Sequence, residues 1–224
     1  MLTTITGFPR IGENRELKFA LEKYFRHEIS FADLSDTASA IRKNNYALMQ
    51  TNKIDLIPVG DFSLYDNLLD AAVLFNLIPE RYADKNLQPH EIYFAMARGH
   101  QENGIDLKAL PMKKWFNTNY HYIEPEYDGS RDVKLETWFI DPLIKEATAL
   151  NLNFKVSLIG PFTLLKHIRF VNGTNQKQLA PALTEAYCKL IDYLSQNNVS
   201  WAALAEPSLV RDSSFPVDFF KFSQ

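Results

Sequence analysis

Five times along this chain a strand-length apolar run gives way to a stretch with helical periodicity. The runs cover residues 3–8, 54–59, about 110–117, 154–159 and 199–204, and each is rich in β-branched or aromatic residues. They end in Gly7-Phe8-Pro9-Arg10, Gly60-Asp61-Phe62, Thr118-Asn119-Tyr120-His121-Tyr122, Gly160-Pro161 and Glu206-Pro207. Strands separated by helices imply right-handed crossovers and a parallel sheet. The near-continuous apolar run Ile54-Asp55-Leu56-Ile57-Pro58-Val59 suggests cover on both faces. Two architectures remain, a doubly wound sheet and a (βα)8 barrel. A complete barrel uses eight strands and about 250 residues. With five strands in 224 residues, the chain is expected to be α/β, of TIM-barrel type, truncated after about five strands.

The intervening segments carry helix signals. Ser30-Phe31-Ala32-Asp33 reads as a capping box, followed by Leu34, Ala38, Ile41 and Leu48 on one face. Asp141-Pro142 pairs a capping carboxylate with a proline at the first helical position. Leu179, Leu183, Ala186, Tyr187, Leu190, Ile191 and Leu194 form one apolar stripe. No low-complexity segment, flexible linker or charge block marks an internal boundary.

Composition removes several function classes. Charged residues make up 23% of the chain and hydrophobic ones 46%, the proportions of an ordinary globular protein. The formal net charge of -3 lacks the basic footprint of a general nucleic-acid binder. No apolar run approaches the roughly 20 residues that span a bilayer. The start Met1-Leu2-Thr3-Thr4-Ile5 does not read as a signal peptide. The single cysteine, Cys188, can form neither an internal disulfide nor a Cys-rich zinc site. A cytoplasmic protein is expected.

Polar residues collect after the runs, where an α/β sheet presents its ligands. They include Arg10, Asn14, Arg15 and Lys18, then Asp61, Ser63, Tyr65 and Asp66, then Asn117, Asn119 and His121, and finally Glu206. Asp61, Asn119, His121 and Glu206 are the candidates for a strand-end pocket. Loops are polar in any protein, so this clustering alone does not separate a site from solvated surface. Arg15 and Lys18 are spaced to share one face of a helix's first turn. Cations there oppose the positive end of the helix dipole, and a bound anion would resolve the conflict; a solvated basic face is the alternative. The histidines His27, His90, His100, His121 and His167 show no metal-ligand spacing, and no metal site is expected in this chain. Cys188 borders the apolar stripe and reads as a packing residue. No catalytic residue stands out.

Four stretches together resemble the amino-terminal half of cobalamin-independent methionine synthase. They are Gly7-Phe8-Pro9-Arg10-Ile11-Gly12-Glu13-Asn14-Arg15-Glu16-Leu17-Lys18, the run from Ile54 through Asp66, Tyr93-Phe94-Ala95-Met96-Ala97-Arg98-Gly99, and Lys114-Trp115-Phe116-Asn117-Thr118-Asn119-Tyr120-His121-Tyr122. The resemblance implies methyl transfer from 5-methyltetrahydropteroyltri-L-glutamate to homocysteine, making methionine. It implies that residues 1–224 form an incomplete amino-terminal barrel domain. The carboxyl-terminal barrel, which holds the family's zinc and is the expected partner, is absent. The family's folate-polyglutamate contacts fall on Arg15, Glu16, Leu17, Lys18 and Lys114, so the chain alone is expected to bind the folate tail and be inactive. The alternative is a stand-alone, non-catalytic binding module for folate polyglutamate or another polyanion; a degenerate paralogue that binds nothing is a third reading. Where the family shows Asp-Glu-Pro, this chain has Ala205-Glu206-Pro207. Open sheet edges, or an exchanged segment 215–222, predict self-association.

Overall fold

The computed structural model describes residues 1–83, 85–102 and 104–211; the segment 215–222, expected to exchange between copies, lies outside them. In chain order the elements are α1 (Glu16–Phe25), α2 (Phe31–Thr51), β1 (Ile57–Val59), α3 (Asn67–Leu74), α4 (Glu80–Ala83), α5 (Pro89–Arg98), β2 (His100–Glu102), β3 (Ile105–Leu107), β4 (Met112–Lys114) and β5 (His121–Ile123). Then follow β6 (Glu126–Tyr127), α6 (Asp141–Ala149), β7 (Phe154–Ile159), α7 (Pro161–Lys166), β8 (Arg169–Phe170), α8 (Gln176–Gln196), β9 (Ala202–Ala205) and a 3₁₀ turn, Pro207–Val210.

The predicted parallel sheet is present. β1 pairs with β7 and β7 with β9, both parallel, while the first run adds one parallel bridge, Thr4 to Leu56. Four of the five runs therefore lie side by side in sequence order. The third does not join them. It forms β4, which pairs antiparallel with β5 as a separate hairpin (Met112 opposite Ile123, Lys114 opposite His121). All three β4 residues are exposed, and Lys113 and Lys114 would be costly inside a sheet covered on both faces. The expected five-strand count is thus corrected: four of the runs lie parallel, the third joins a hairpin, a second antiparallel hairpin (β2 with β3) and a short parallel pair (β6 with β8) stand apart, and no closed barrel forms among the described residues.

Local chemistry explains the helices. Ser30 Oγ accepts the Asp33 N–H at 3.1 Å while Asp33 Oδ2 accepts the Ser30 N–H at 2.8 Å, the predicted capping box. Leu34, Ala38 and Ile41 face the core, but Leu48 is turned to solvent, and Tyr46 and Met49 take the inward positions. Asp141 is the first helical residue of α6, not its cap; Ile140 holds that position, and the Asp141 carboxylate accepts hydrogen bonds from Thr137 and Tyr193. On α8 the stripe is buried except for Ile191.

Two cores result. One, including Phe75, Val156, Tyr187 and Leu190, joins the sheet to α3, α6 and α8. The other, including Leu17, Leu34, Tyr82, Tyr93 and Met96, joins α1, α2 and α5. Each fully buried large apolar side chain contributes about 1.5–3 kcal/mol relative to exposure. Arg42 on α2 and Glu146 on α6 tie elements together through a two-point pair at 2.7 and 3.0 Å. Among the described residues no helix is long and apolar enough to cross a membrane.

Candidate functional site

The loop before α1 is locked to the loop after β1. The Phe8 N–H donates to Asp61 Oδ2 at 2.8 Å, and Arg10 donates to the carbonyls of Ser63 and Tyr65, both at 2.7 Å. A side chain at residue 7 would begin 3.1 Å from Asp61 Oδ2, so Gly7 is what permits this approach. Burial raises the Asp61 pKa, opposed by the hydrogen bond from Phe8.

Arg15 occupies the position before α1 in the left-handed conformation, φ 64°, and is exposed. Its neighbour Glu16 folds back, accepting the Asn14 N–H at 2.9 Å; hydrogen bonds from its own N–H and from Asn14 hold its carboxyl below the usual range. Gly12, at φ 82°, leaves the space that the Glu16 carboxylate fills. Leu17 is buried and its N–H donates to the Ile11 carbonyl at 3.2 Å. Lys18 is half-exposed and only loosely paired with Glu22, at 3.8 Å. Of these four residues, Arg15 and Lys18 present charge outward, while Glu16 and Leu17 shape and anchor the turn.

Lys114 lies elsewhere, on the exposed hairpin arm opposite His121, with Asn119 exposed between β4 and β5. No hydrogen bond or ion pair among the described residues joins Arg15 or Lys18 to Lys114. The four strand-end residues are likewise spread over three places. Asp61 borders a cavity beside the sheet, Asn119 and His121 belong to the hairpin, and Glu206 is committed to α7. Its carboxylate accepts the N–H groups of Phe162 at 2.9 Å and Thr163 at 2.7 Å, packed so closely on Gly160 that a Cβ there would lie 2.2 Å from it. That geometry leaves Glu206 little freedom to meet a ligand.

Sequence reasoning missed three groups bordering the same cavity as Asp61: Asp70, Lys155 and Ser157. Lys155 had a readable signal, a charge inside an otherwise apolar strand, whereas Asp70 had none within its apolar helix. Burial pushes the Asp70 carboxyl up to about 7, against the Ser63 and Tyr93 hydroxyls that favour its charged form.

The motif-bearing loops are continuous with a match that covers nearly the whole chain: the family described as "Cobalamin-independent synthase, N-terminal domain" matches residues 2–220. The chain belongs to the cobalamin-independent synthase family. Proteins named 5-methyltetrahydropteroyltriglutamate–homocysteine methyltransferase from Streptococcus suis and Streptococcus sanguinis are 47% and 46% identical, over 95% and 96% of this chain. A protein of the same name from Campylobacter jejuni subsp. doylei is 46% identical over 96%. The chain spans 28% of the length of each of these relatives. As a member of the cobalamin-independent synthase family it thus corresponds to one part of proteins named as methyltransferases.

Proposed function

We propose that this chain is the amino-terminal, folate-tail-binding part of a methyltransferase. In that reading the complete protein moves a methyl group from 5-methyltetrahydropteroyltri-L-glutamate to homocysteine, and the isolated chain is inactive. The observation that carries it is the family match over residues 2–220, with the outward cations Arg15 and Lys18 falling inside the matched motif. Clustered carboxylates of a polyglutamate tail suit guanidinium and ammonium groups at the start of a helix. Lys114 supplies a second contact from the hairpin, reached by an extended tail rather than by the same carboxylate.

The domain reading follows: residues 1–224 supply part of a TIM-type barrel, to which further strands and a second barrel belong in the longer protein. Four parallel segments in sequence order support this, since a (βα)8 barrel is laid down in that way. The described residues do not fit the zinc ion that the family resemblance implies. No three His, Cys, Asp or Glu side chains converge among them, and the thiol of Cys188 is half-buried on α8 without a partner cysteine. Zinc in this proposal belongs to the rest of the longer protein. The outer edges of β9 and of the first run have no paired strand among the described residues, and self-association through them remains part of the proposal.

Titration calorimetry of the chain with triglutamyl and monoglutamyl methyl-folate tests the reading. Tighter binding of the triglutamyl form is expected, without methionine production from added homocysteine. Equal affinity for the two forms overturns the tail site, and turnover above a buffer control overturns the inactive assignment.

A further inference from the structure

Arg15 and Lys18 sit on the α1 turn and Lys114 on the hairpin, yet a chain of hydrogen bonds runs between the two places. It starts at Ile11, whose carbonyl accepts the Leu17 N–H at 3.2 Å and fastens the start of α1 to the segment before it. The preceding residue, Arg10, reaches the loop after β1, its two terminal nitrogens donating to the carbonyls of Ser63 and Tyr65, both at 2.7 Å. The Tyr65 N–H donates to the Tyr93 hydroxyl at 2.9 Å, so Tyr65 is held through both of its peptide groups. Asp66 comes next and spends its two carboxylate oxygens on two different elements. Oδ1 accepts the N–H groups of Leu68 and Leu69, both at 2.9 Å, and caps α3. Oδ2 accepts the Ile123 N–H of β5 at 3.0 Å.

Capping α3 needs one acceptor, so it does not account for the reach of the second oxygen to the hairpin. Within the hairpin, the Trp115 N–H donates to Tyr120 and the Glu124 N–H to Pro111, both at 2.8 Å, which shapes the arms without fixing where they point. Tyr122 and Ile123 are buried at its root, and Trp115, Phe116 and Tyr122 pack on His167. Apolar contact is non-directional, whereas a hydrogen bond weakens steeply as it bends. Packing therefore holds the root down, and the Asp66 bond sets its angle. A tail that meets cations in two places gains most when their separation is fixed, because the second contact then costs little further ordering.

We propose that Arg10 and Asp66 are positioning residues for the folate tail. They hold the α1 turn and the hairpin at one separation, so that Arg15 and Lys18 meet one carboxylate of a polyglutamate tail and Lys114 meets another. This rests on the folate-tail reading and adds to it what sets the preferred tail length.

Asp66→Asn separates the two duties of the side chain. Asparagine caps a helix about as well as aspartate, but an NH₂ group in place of Oδ2 cannot accept from Ile123. With nitroxide labels at Lys18→Cys and Lys114→Cys in a Cys188→Ser chain, double electron–electron resonance should give a narrow distance distribution, which Asp66→Asn broadens. A label pair across α2 and α8, at Lys43→Cys and Lys189→Cys, should be unchanged. In titration calorimetry, Asp66→Asn should weaken triglutamyl methyl-folate at least about threefold and the monoglutamyl form by less than about twofold. Lys114→Ala should then cost less affinity in the Asp66→Asn background than in the parent, a coupling that a general loss of stability would not produce. If Asp66→Asn does not fold, Arg10→Lys carries the same measurements, because an ammonium does not reproduce the two-carbonyl fork of the guanidinium. An unbroadened distance, or a triglutamyl preference that the variant keeps in full, overturns the positioning role and leaves the tail reading in place. Equal affinity of the parent for the two folates overturns the tail reading, and this proposal with it.

Discussion

Lys155 and Lys18 are both lysines on regular elements, yet their surroundings are opposites. Lys155 is 9% exposed as the second residue of β7, facing the same cavity as the Asp61 carboxylate. The Lys18 side chain is 49% exposed on the first turn of α1, loosely paired with Glu22. The same contrast runs through both regions. Around the sheet, charged groups are buried, so their protonation and pairing are coupled to stability. Around the α1 turn and the hairpin, cations are solvated and contribute little to folding. A region of the second kind can bind a charged tail with little structural consequence; in the first kind, any loss of a partner is felt by the whole molecule. Substitutions should therefore separate the two regions by what they change.

The largest effect is expected at the pair joining α2 to α6. The side chains of Arg42 and Glu146 are 11% and 10% exposed, and hydrogen bonds from Arg42 and Ser39 hold the Glu146 carboxyl below its usual range against the opposing effect of burial. Glu146→Ala leaves Arg42 buried without its counter-charge, which costs about 3–5 kcal/mol. Urea denaturation should show the midpoint falling sharply. A change under about 1 kcal/mol would mean that water reaches Arg42, and would break the contrast between buried and solvated charge.

Asp70 sharpens the comparison through pH. Its folded-state pKa is raised from 3.8 to about 7, chiefly by burial, so between these values the folded protein holds a proton that the unfolded chain releases. The folded state binding more protons means that stability falls as pH rises through this window and levels off above about 7. A tenfold change in proton affinity is worth about 1.4 kcal/mol, so the contribution is a few kcal/mol. The histidines His90 and His167, both lowered by burial, oppose this slope, because their charging costs folded-state stability at low pH. Asp70→Asn therefore isolates the effect: the difference in stability between variant and parent should change steadily from pH 4 to 7. A difference independent of pH would show that Asp70 stays charged in the folded protein.

Much of the sheet side was legible in the sequence where a residue's environment follows from its neighbours along the chain. β7 has the expected bounds, Phe154–Ile159, and the Ser30/Asp33 box starts α2 as predicted. What failed was pairing. Residues 110–117 have strand character, but a run does not say which strand it pairs with, and Lys113 and Lys114 favour a solvated hairpin. Leu48 and Ile191 show a related limit, since apolar spacing overestimates the width of the buried face. The family motif located Arg15 and Lys18, whose charge is visible in the sequence. It could not show that Glu206 is spent on the N–H groups of α7, nor that Lys155 and Ser157 of β7 line one cavity with Asp61 of the loop after β1 and Asp70 of α3, because that depends on how helix and strand pack in three dimensions.

Glu206 offers an intermediate effect. Glu206→Gln keeps the size but removes the charge that the Phe162 and Thr163 N–H groups meet, and should cost about 1–2 kcal/mol in thermal or urea unfolding. Binding of triglutamyl folate should be unchanged. A loss of folate affinity without a loss of stability would return Glu206 to the ligand site and weaken the division between the two regions.

The smallest change in stability should come from Lys18. Its partner is 3.8 Å away and both side chains are about half-exposed, so Lys18→Ala should shift stability by less than about 0.5 kcal/mol. Binding should respond differently. An ammonium offered to clustered carboxylates acts through solvent-screened attraction, so the affinity for triglutamyl folate should fall several-fold at low salt and the difference should shrink as ionic strength rises. Lys18→Arg should retain most of the affinity, because the tail needs charge at this position and an extended guanidinium supplies it. Titration calorimetry at two salt concentrations distinguishes this from a structural role: a loss that is the same at both concentrations, or that appears with an equal fall in unfolding midpoint, would place Lys18 among the residues that hold the turn rather than those that meet a ligand.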